Sequence, residues 1–253
     1  MKKNVNNLNI VAIVQARINS TRFPGKVMKL LNKKPIIEII TLILQESKFI
    51  NSIVIATSTD VENNELVNFL EKKHIEYFRG SENNVLDRYY KIAKKLKSDF
   101  IVRVTGDDPL MDVSFIDKAI TKIRNGKFDF VSNNYPRTFP LGYDFEVFTY
   151  DTLQRIKKST RNHEDLEHVS LYVKKHRNQF KIANIPALKT KTFPNWRLTV
   201  DTPEDYKLMK KIFKFYKNKK IIKYDDVILI LNKNPQWLDI NKNIVISHHS
   251  QIK

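Results

Sequence analysis

Three short stretches of this chain combine residue types that could bind and move charged groups. The first is Gln15-Ala16-Arg17-Ile18-Asn19-Ser20-Thr21-Arg22-Phe23-Pro24-Gly25-Lys26. It gathers three cations, two hydroxyls and several loop N–H groups. Arginine forks, a lysine point charge and backbone amides are the donors that hold a polyphosphate. A basic surface loop is the competing reading. The spacings G-x-x-x-x-G-K-[ST] and G-x-G-x-x-G are both absent, so this is neither a P-loop nor a dinucleotide fingerprint. The second stretch, Thr105-Gly106-Asp107-Asp108-Pro109, sets two carboxylates at the end of an apolar run. Such a carboxylate can hold Mg²⁺, which keeps several waters and takes one or two carboxylates plus substrate phosphates. Asp108, before a proline, could equally serve a turn or a helix entry. The third is Thr199-Val200-Asp201-Thr202-Pro203-Glu204-Asp205. Thr202 with Pro203 reads as a helix N-terminus, with Asp205 assigned to capping. Asp201 stands one residue too early for that job and is the better metal-ligand candidate.

Composition narrows what these groups can serve. The chain has 253 residues, 42% of them hydrophobic, which at roughly 150 residues per domain means one large domain or one with an appendage. It has no cysteine, which excludes disulfide scaffolds, thiolate metal sites and thiol catalysis. No apolar run approaches the ~18 residues a membrane helix needs, and no membrane partner is expected. Residues 1–9 are polar and lack a secretory core, so the default compartment is the cytoplasm. The net charge is +18. A nucleic-acid or anionic-membrane partner is one reading. The reading favoured here is lysine enrichment over helix surfaces, because pairs such as Lys72-Lys73, Lys94-Lys95 and Lys210-Lys211 fall in helix-like stretches. A positive field would still attract phosphate-rich small substrates.

The elements that must position the three stretches alternate. Residues 10–14, 52–56, 76–78, 100–104 and 128–131 read as strands, mostly β-branched and apolar. Between them, helices are expected from Pro35 to Leu44, over 62–74, over 85–96, and from a Ser114 cap with Asp117 to Arg124. This rhythm predicts βαβ units and a mostly parallel sheet. After Asn133 it changes: a loop over 135–143, a strand over 145–148, and helices over 151–158 and 164–175. Strands over 180–185 and 196–200 precede a helix from Pro203 to Tyr216 and another over 224–232. The domain is expected to run over 1–216, with an insertion at about 134–187 and a C-terminal extension over 217–253 packed on it.

The motifs resemble one family in detail. Residues 15–26, as Q-A-R-x-x-S-T-R-x-P-G-K, resemble the signature loop of the cytidylyltransferases that activate acidic sugars, and most closely that of their spore-coat polysaccharide relatives. Residues 53–58 resemble the strand I-V-I-A-T-[ST], and Phe78 to Tyr90 the block R-G-S-E-x-x-V-L-D-R-Y. Arg103 to Leu110 resemble R-x-T-G-D-x-P-L, Glu167-His168-Val169 resemble E-H-V-[ST], and Arg197 to Asp205 resemble R-x-T-V-D-T-P-E-D. The matches occur in the family's order from Ile10 to about Phe215.

The resemblance implies an α/β, Rossmann-like nucleotidyltransferase fold with a substrate-side insertion. It also implies Mg²⁺ dependence, CTP (or another NTP) as donor, a small anionic acceptor and a homodimer. By the same resemblance, Arg17, Lys26, Asp107 and Asp201 are catalytic, and Asp107 and Asp201 hold the metal. Gln15, Ala16, Arg17, Ser20, Arg22, Lys26, Thr57, Asp87, Arg88 and Asp107 surround the nucleotide. Tyr143, Asp144, Glu146, Glu167 and His168 are the acceptor candidates, in a region unlike the sugar-acid pocket of the KDO and sialic acid enzymes. Two rivals are kept. A nucleotide-sugar glycosyltransferase would also pair a metal carboxylate with an α/β fold. A non-enzymatic nucleic-acid binder would account for the charge, but no aromatic–basic stacking platform is present.

Overall fold

A computed structural model describes residues 8–244. Strand β1 (Ile10–Gln15) opens the fold. A two-stranded hairpin, β2 (Leu30–Leu31) and β3 (Lys34–Pro35), leads into α1 (Ile36–Gln45). Next come β4 (Ser52–Ser58), α2 (Asn64–Lys72), β5 (Tyr77–Gly80), α3 (Val85–Lys95), β6 (Phe100–Thr105) and α4 (Val113–Arg124). The later half comprises β7 (Phe130–Ser132), β8 (Glu146–Thr149), α5 (Tyr150–Ser159), α6 (His163–Glu167), α7 (Leu171–Lys175), β9 (Ile182–Asn184), α8 (Pro203–Phe215) and α9 (Tyr224–Lys233). The large sheet has seven strands in the order β5-β4-β1-β6-β8-β7-β9.

Strand β1 lies between β4 and β6, parallel to both. Because side chains alternate across a strand, Ile10, Ala12 and Val14 enter one core and Val11 and Ile13 the other. A strand covered on both faces must be apolar throughout, which is why this run shows no polar alternation. Its register sets Gln15 beside Ala56 and Thr105, so the loops after β1, β4 and β6 leave from one edge. Ligands of open α/β sheets bind at that edge. Strand β8 runs antiparallel to β6 and β7, so the segment read as an insertion extends the same sheet.

Three local expectations are corrected. No strand forms over 196–200. That segment makes only an isolated bridge, between Leu141 and Arg197, where Leu198 N–H donates to the Leu141 carbonyl at 2.6 Å, and further backbone bonds tie it to the β6 turn and the C-terminal segment. The crossing is too close for a ladder of side chains: a Cβ on Gly142, whose φ is +108°, would lie 2.3 Å from the Leu198 backbone. The helix expected over 164–175 is two short helices separated at His168–Ser170. The cap of α4 is Asp112, which accepts from Ser114 N–H at 3.0 Å. Asp117 instead accepts from Ser47 Oγ and Lys48 N–H, tying α4 to the turn before β4. The polar N-terminus on which the compartment expectation rests lies largely outside the described residues.

Candidate active site

The 15–26 loop is fixed from both sides. Ala16 N–H donates to the Ala56 carbonyl, extending the β1–β4 pairing by one step. Ile18 N–H donates to the buried Asn63 side chain at 2.9 Å, and Asn63 in turn donates to Ser58 Oγ at 2.7 Å. Ser20 and Gly25 N–H both converge on the Ile18 carbonyl at 2.8 Å, closing the loop on itself. Gly106 lets the β6 loop lie against it, since a Cβ there would sit 3.0 Å from the Gln15 carbonyl and from Ala16 Cβ.

Lys26 joins all three stretches. Its Nζ donates to Asp107 Oδ2 and to Asp201 Oδ1, each at 2.6 Å. Burial alone would lower the Lys26 ammonium, but the two carboxylates outweigh it and hold it up at about 12. Burial pushes Asp107 upward, and the Lys26 charge and hydrogen bond reverse this to leave it below the usual range. Asp107 and Asp201 therefore do converge, although Asp201 ends no strand. Val200 N–H donates to the Asp107 carbonyl at 2.9 Å, docking the extended segment on the β6 turn. Arg22 Nη2 donates to the second Asp201 oxygen at 2.8 Å.

Asp205 does more than cap α8. It forms the capping box with Thr202. It also receives Nε and Nη2 of buried Arg197 at 2.9 Å each, and Asp201 N–H at 3.0 Å. Asn241, from the C-terminal segment, donates to the same carboxylate at 2.8 Å and to the Arg197 carbonyl at 3.0 Å. The Asp201 backbone is thus held by a buried ion pair that the tail completes.

Two adjoining cavities open at this edge, of about 320 and 230 Å³. Gln15, Arg22, Thr105, Asp107 and Asp201 line both and form their boundary. The smaller is walled by Ala16, Arg17, Ser20, Lys26, Arg88 and Glu167. Arg17 reaches Glu82 at 2.7 Å, and Arg88 donates to the carbonyls of Ser81 and Glu82, so α3 anchors this wall. Asp144, Glu146 and His168 line the larger cavity. The break between α6 and α7 turns Glu167 to one cavity and His168 to the other.

Three candidates lie elsewhere. Thr57 is wholly buried within β4. Asp87 faces Lys91 and Lys157, each at 2.8 Å, away from both cavities. Tyr143 is buried against the rings of Tyr224 and Phe139, at 4.9 and 6.5 Å.

Sequence reasoning missed the basic half of the larger cavity. Arg103 Nη1 donates to Glu146 at 2.9 Å and its Nη2 to Gln15 at 3.1 Å, linking the wall of the larger cavity to the boundary residue Gln15. Lys174 lies 2.9 Å from the other Glu146 oxygen. Burial favours neutral Glu146, but Lys174 and then Arg103 override it and hold the carboxyl down at about 2. Arg137 grips Asp144 through two 2.6 Å bonds. Asp108 is the opposite case: burial, then the charges of Asp107 and Asp144, push it well above the carboxylate range. Arg103 was visible within its motif; Arg137 and Lys174 carried no spacing signal.

Comparison with known proteins decides what this cleft belongs to. The family model described as cytidylyltransferase matches residues 11–231. The chain belongs to the cytidylyltransferase family. It is 33% identical over 233 residues to the spore coat polysaccharide biosynthesis protein SpsF of Bacillus subtilis, covering 90% of this chain and 95% of that one. An uncharacterised protein of Methanocaldococcus jannaschii is 36% identical over 239 residues, 94% and 96% of the two chains. A cytidylyltransferase structure from Leptospira borgpetersenii superposes with a TM-score of 0.87 at 31% identity, covering 96% of this chain and all of that one. The chain has the α/β nucleotidyltransferase fold and is a nucleotidyltransferase. This family assignment sets aside both the glycosyltransferase and the non-enzymatic rival.

Proposed function

We propose that this cytidylyltransferase moves CMP from CTP to an oxygen of an acidic sugar, or of a related carboxylated or phosphorylated acceptor, releasing pyrophosphate, for surface polysaccharide or glycan synthesis. The observation that carries this reading is the shared boundary of the two cavities. A donor in the smaller cavity and an acceptor in the larger would meet beside Arg22, Asp107 and Asp201. Such a reaction needs in-line positioning and charge neutralisation rather than a covalent enzyme group. On this reading Arg17, Ser20 and Lys26, which line the smaller cavity, bind the phosphates. Lys26 keeps its proton at neutral pH and so keeps its charge.

The same boundary fits Mg²⁺. Asp107 and Asp201 already share one cation, the Lys26 ammonium, and two hard oxygen donors beside a phosphate cavity are the ligand set this metal takes. Among the described residues no cluster of three or more metal-ligating side chains exists, so substrate phosphate and water would complete the shell. When bound, magnesium supplies charge neutralisation on the phosphates. The chain's own part is to hold Asp201 in place through Asp205 and Arg197, and to orient Gln15 and Glu146 through Arg103.

The test incubates the chain and Mg²⁺ with each NTP in turn and a panel of sugar acids and phosphorylated metabolites, and measures pyrophosphate. Product mass then names base and acceptor together. Pyrophosphate release with no nucleotide and acceptor pair would refute the reading. A homodimer and a cytoplasmic location belong to the same proposal. Light scattering that reports a monomer at micromolar concentration and above would reject the dimer.

A further inference from the structure

The stretch from Lys207 to Lys223 holds eight lysines in seventeen residues and no carboxylate. The whole chain, by contrast, sets 45 Lys and Arg against 27 Asp and Glu, so this block exceeds the general bias. In α8, Lys207, Lys210, Lys211 and Lys214 recur at i, i+3, i+4 and i+7, which puts them on one face. Leu208, Met209, Ile212 and Phe213 fill the opposite, buried face. Lys217, Lys219, Lys220 and Lys223 continue the charge beyond the helix end, and all eight are exposed. Lys219 and Lys220 pair with Asp226 and Glu46; the other six make no ion pair among the described residues. Phe215 stands among them, 59% exposed. A helix C-terminus favours a lysine or two in its last turn, but not eight along a stretch that also exposes Phe215, whose ring meets that of Tyr216 edge-on at 4.9 Å.

We propose that this lysine face, with Phe215 at its apex, docks the enzyme on an anionic membrane surface. Lysine stems and an aromatic ring suit the headgroup boundary, where the charge stays wet and the apolar parts are buried. The block contains no arginine, the fork that reads phosphates and bases bidentately, and no described cavity opens on it. Lysine point charges suit a diffuse surface potential. The helix starts beside Asp201, and twelve residues at 1.5 Å each put Phe215 about 18 Å along the axis from Pro203, clear of the catalytic edge. The expectation of no membrane partner rested on the lack of a spanning segment. No described helix is long and apolar enough to cross a membrane, and surface docking requires none.

The test sediments the full chain with vesicles of phosphatidylcholine alone and of phosphatidylcholine with about one-third phosphatidylglycerol. The expected result is binding to the second only, weakening as salt rises. At roughly fivefold per lysine, the combined Lys207→Gln, Lys210→Gln, Lys211→Gln and Lys214→Gln variant loses about a hundredfold or more in vesicle affinity. Phe215→Ser weakens binding but keeps its salt dependence. Both variants keep the wild-type kcat and a cooperative melt, lowered at most by loss of the Lys210–Tyr206 and Lys211–Trp237 contacts, so misfolding cannot imitate the loss. Three outcomes would overturn the proposal: equal binding to neutral vesicles, undiminished binding by the four-lysine variant, or tighter binding to a mixed-sequence oligonucleotide at the same salt.

Discussion

Replacing Lys26 with methionine removes the charge that joins the two carboxylates while keeping most of the side-chain volume. Both carboxylate oxygens lie 2.6 Å from Nζ. They are therefore no more than about 5 Å apart, where two like charges repel by roughly 3 kcal/mol at an effective dielectric of about 20. The side chains of Lys26, Asp107 and Asp201 are 12%, 19% and 17% exposed, so water trims this repulsion. A net loss of about 2 kcal/mol lowers the melting temperature by about 4–8 °C in a chain of this size. A divalent cation should replace what the ammonium supplied. Titrating Mg²⁺ in a thermal melt at neutral pH should therefore stabilise Lys26→Met more than wild type. Adding Asp107→Asn to Lys26→Met removes the repulsion. The double variant should regain stability and lose the Mg²⁺ response, a coupling that independent sites would not show. If Mg²⁺ shifts Lys26→Met no more than wild type, Asp107 and Asp201 do not form a cation site.

Three further outcomes follow from the cleft. Asp107→Asn and Asp201→Asn should each lower kcat for pyrophosphate release by about 10²–10³-fold, and the double variant should fall far short of their product, because both serve one site. Asp205→Asn should cost up to roughly 3–5 kcal/mol in urea unfolding, well beyond the ~1 kcal/mol of a lost cap, because buried Arg197 loses its two-bonded counter-ion and keeps only Asp201 at 3.4 Å; a loss of cap size would refute the ion-pair role. Glu146, held at about 2 against an ordinary 4.5, contributes stability that is present above about 4.5 and lost as pH falls toward 2. Glu146→Gln should remove that part of the acid slope in pH-dependent melts, and should lower stability at neutral pH by leaving Arg103 and Lys174 without their counter-ion. An unchanged slope would contradict the pairing.

The first half of the chain was legible because its elements are local and buried on both faces. The strands of β1, β4 and β6 and their intervening helices announce themselves by β-branched runs and amphipathic spacing. The second half was harder. Residues 196–200 end in the β-branched pair Thr199-Val200, yet their hydrogen bonds go to Leu141 and to the Asp107 carbonyl, partners that no periodicity reveals. The resemblance pairs Asp107 with Asp201, but no spacing shows how they meet: Val200 docks on the β6 turn and Lys26 lies between the carboxylates. Tyr143 was drawn into the acceptor set by its neighbours Asp144 and Glu146, but its ring completes an aromatic cluster with Tyr224 and Phe139.

The charge of the chain and the charge of the cleft are different matters. Each lysine and arginine on the wall of the larger cavity already meets a carboxylate: Arg103 and Lys174 at Glu146, Arg137 at Asp144, Arg22 at Asp201, and Arg197 at Asp205. The cleft is therefore close to neutral and pre-arranged, and the surplus behind the net +18 lies outside it, most densely from Lys207 to Lys223. An anionic substrate entering the larger cavity must exchange partners within these existing ion pairs. Recognition by exchange rewards geometry over charge. An acceptor with the right sign but the wrong spacing leaves a buried ion broken and unrepaid, and that costs several kcal/mol.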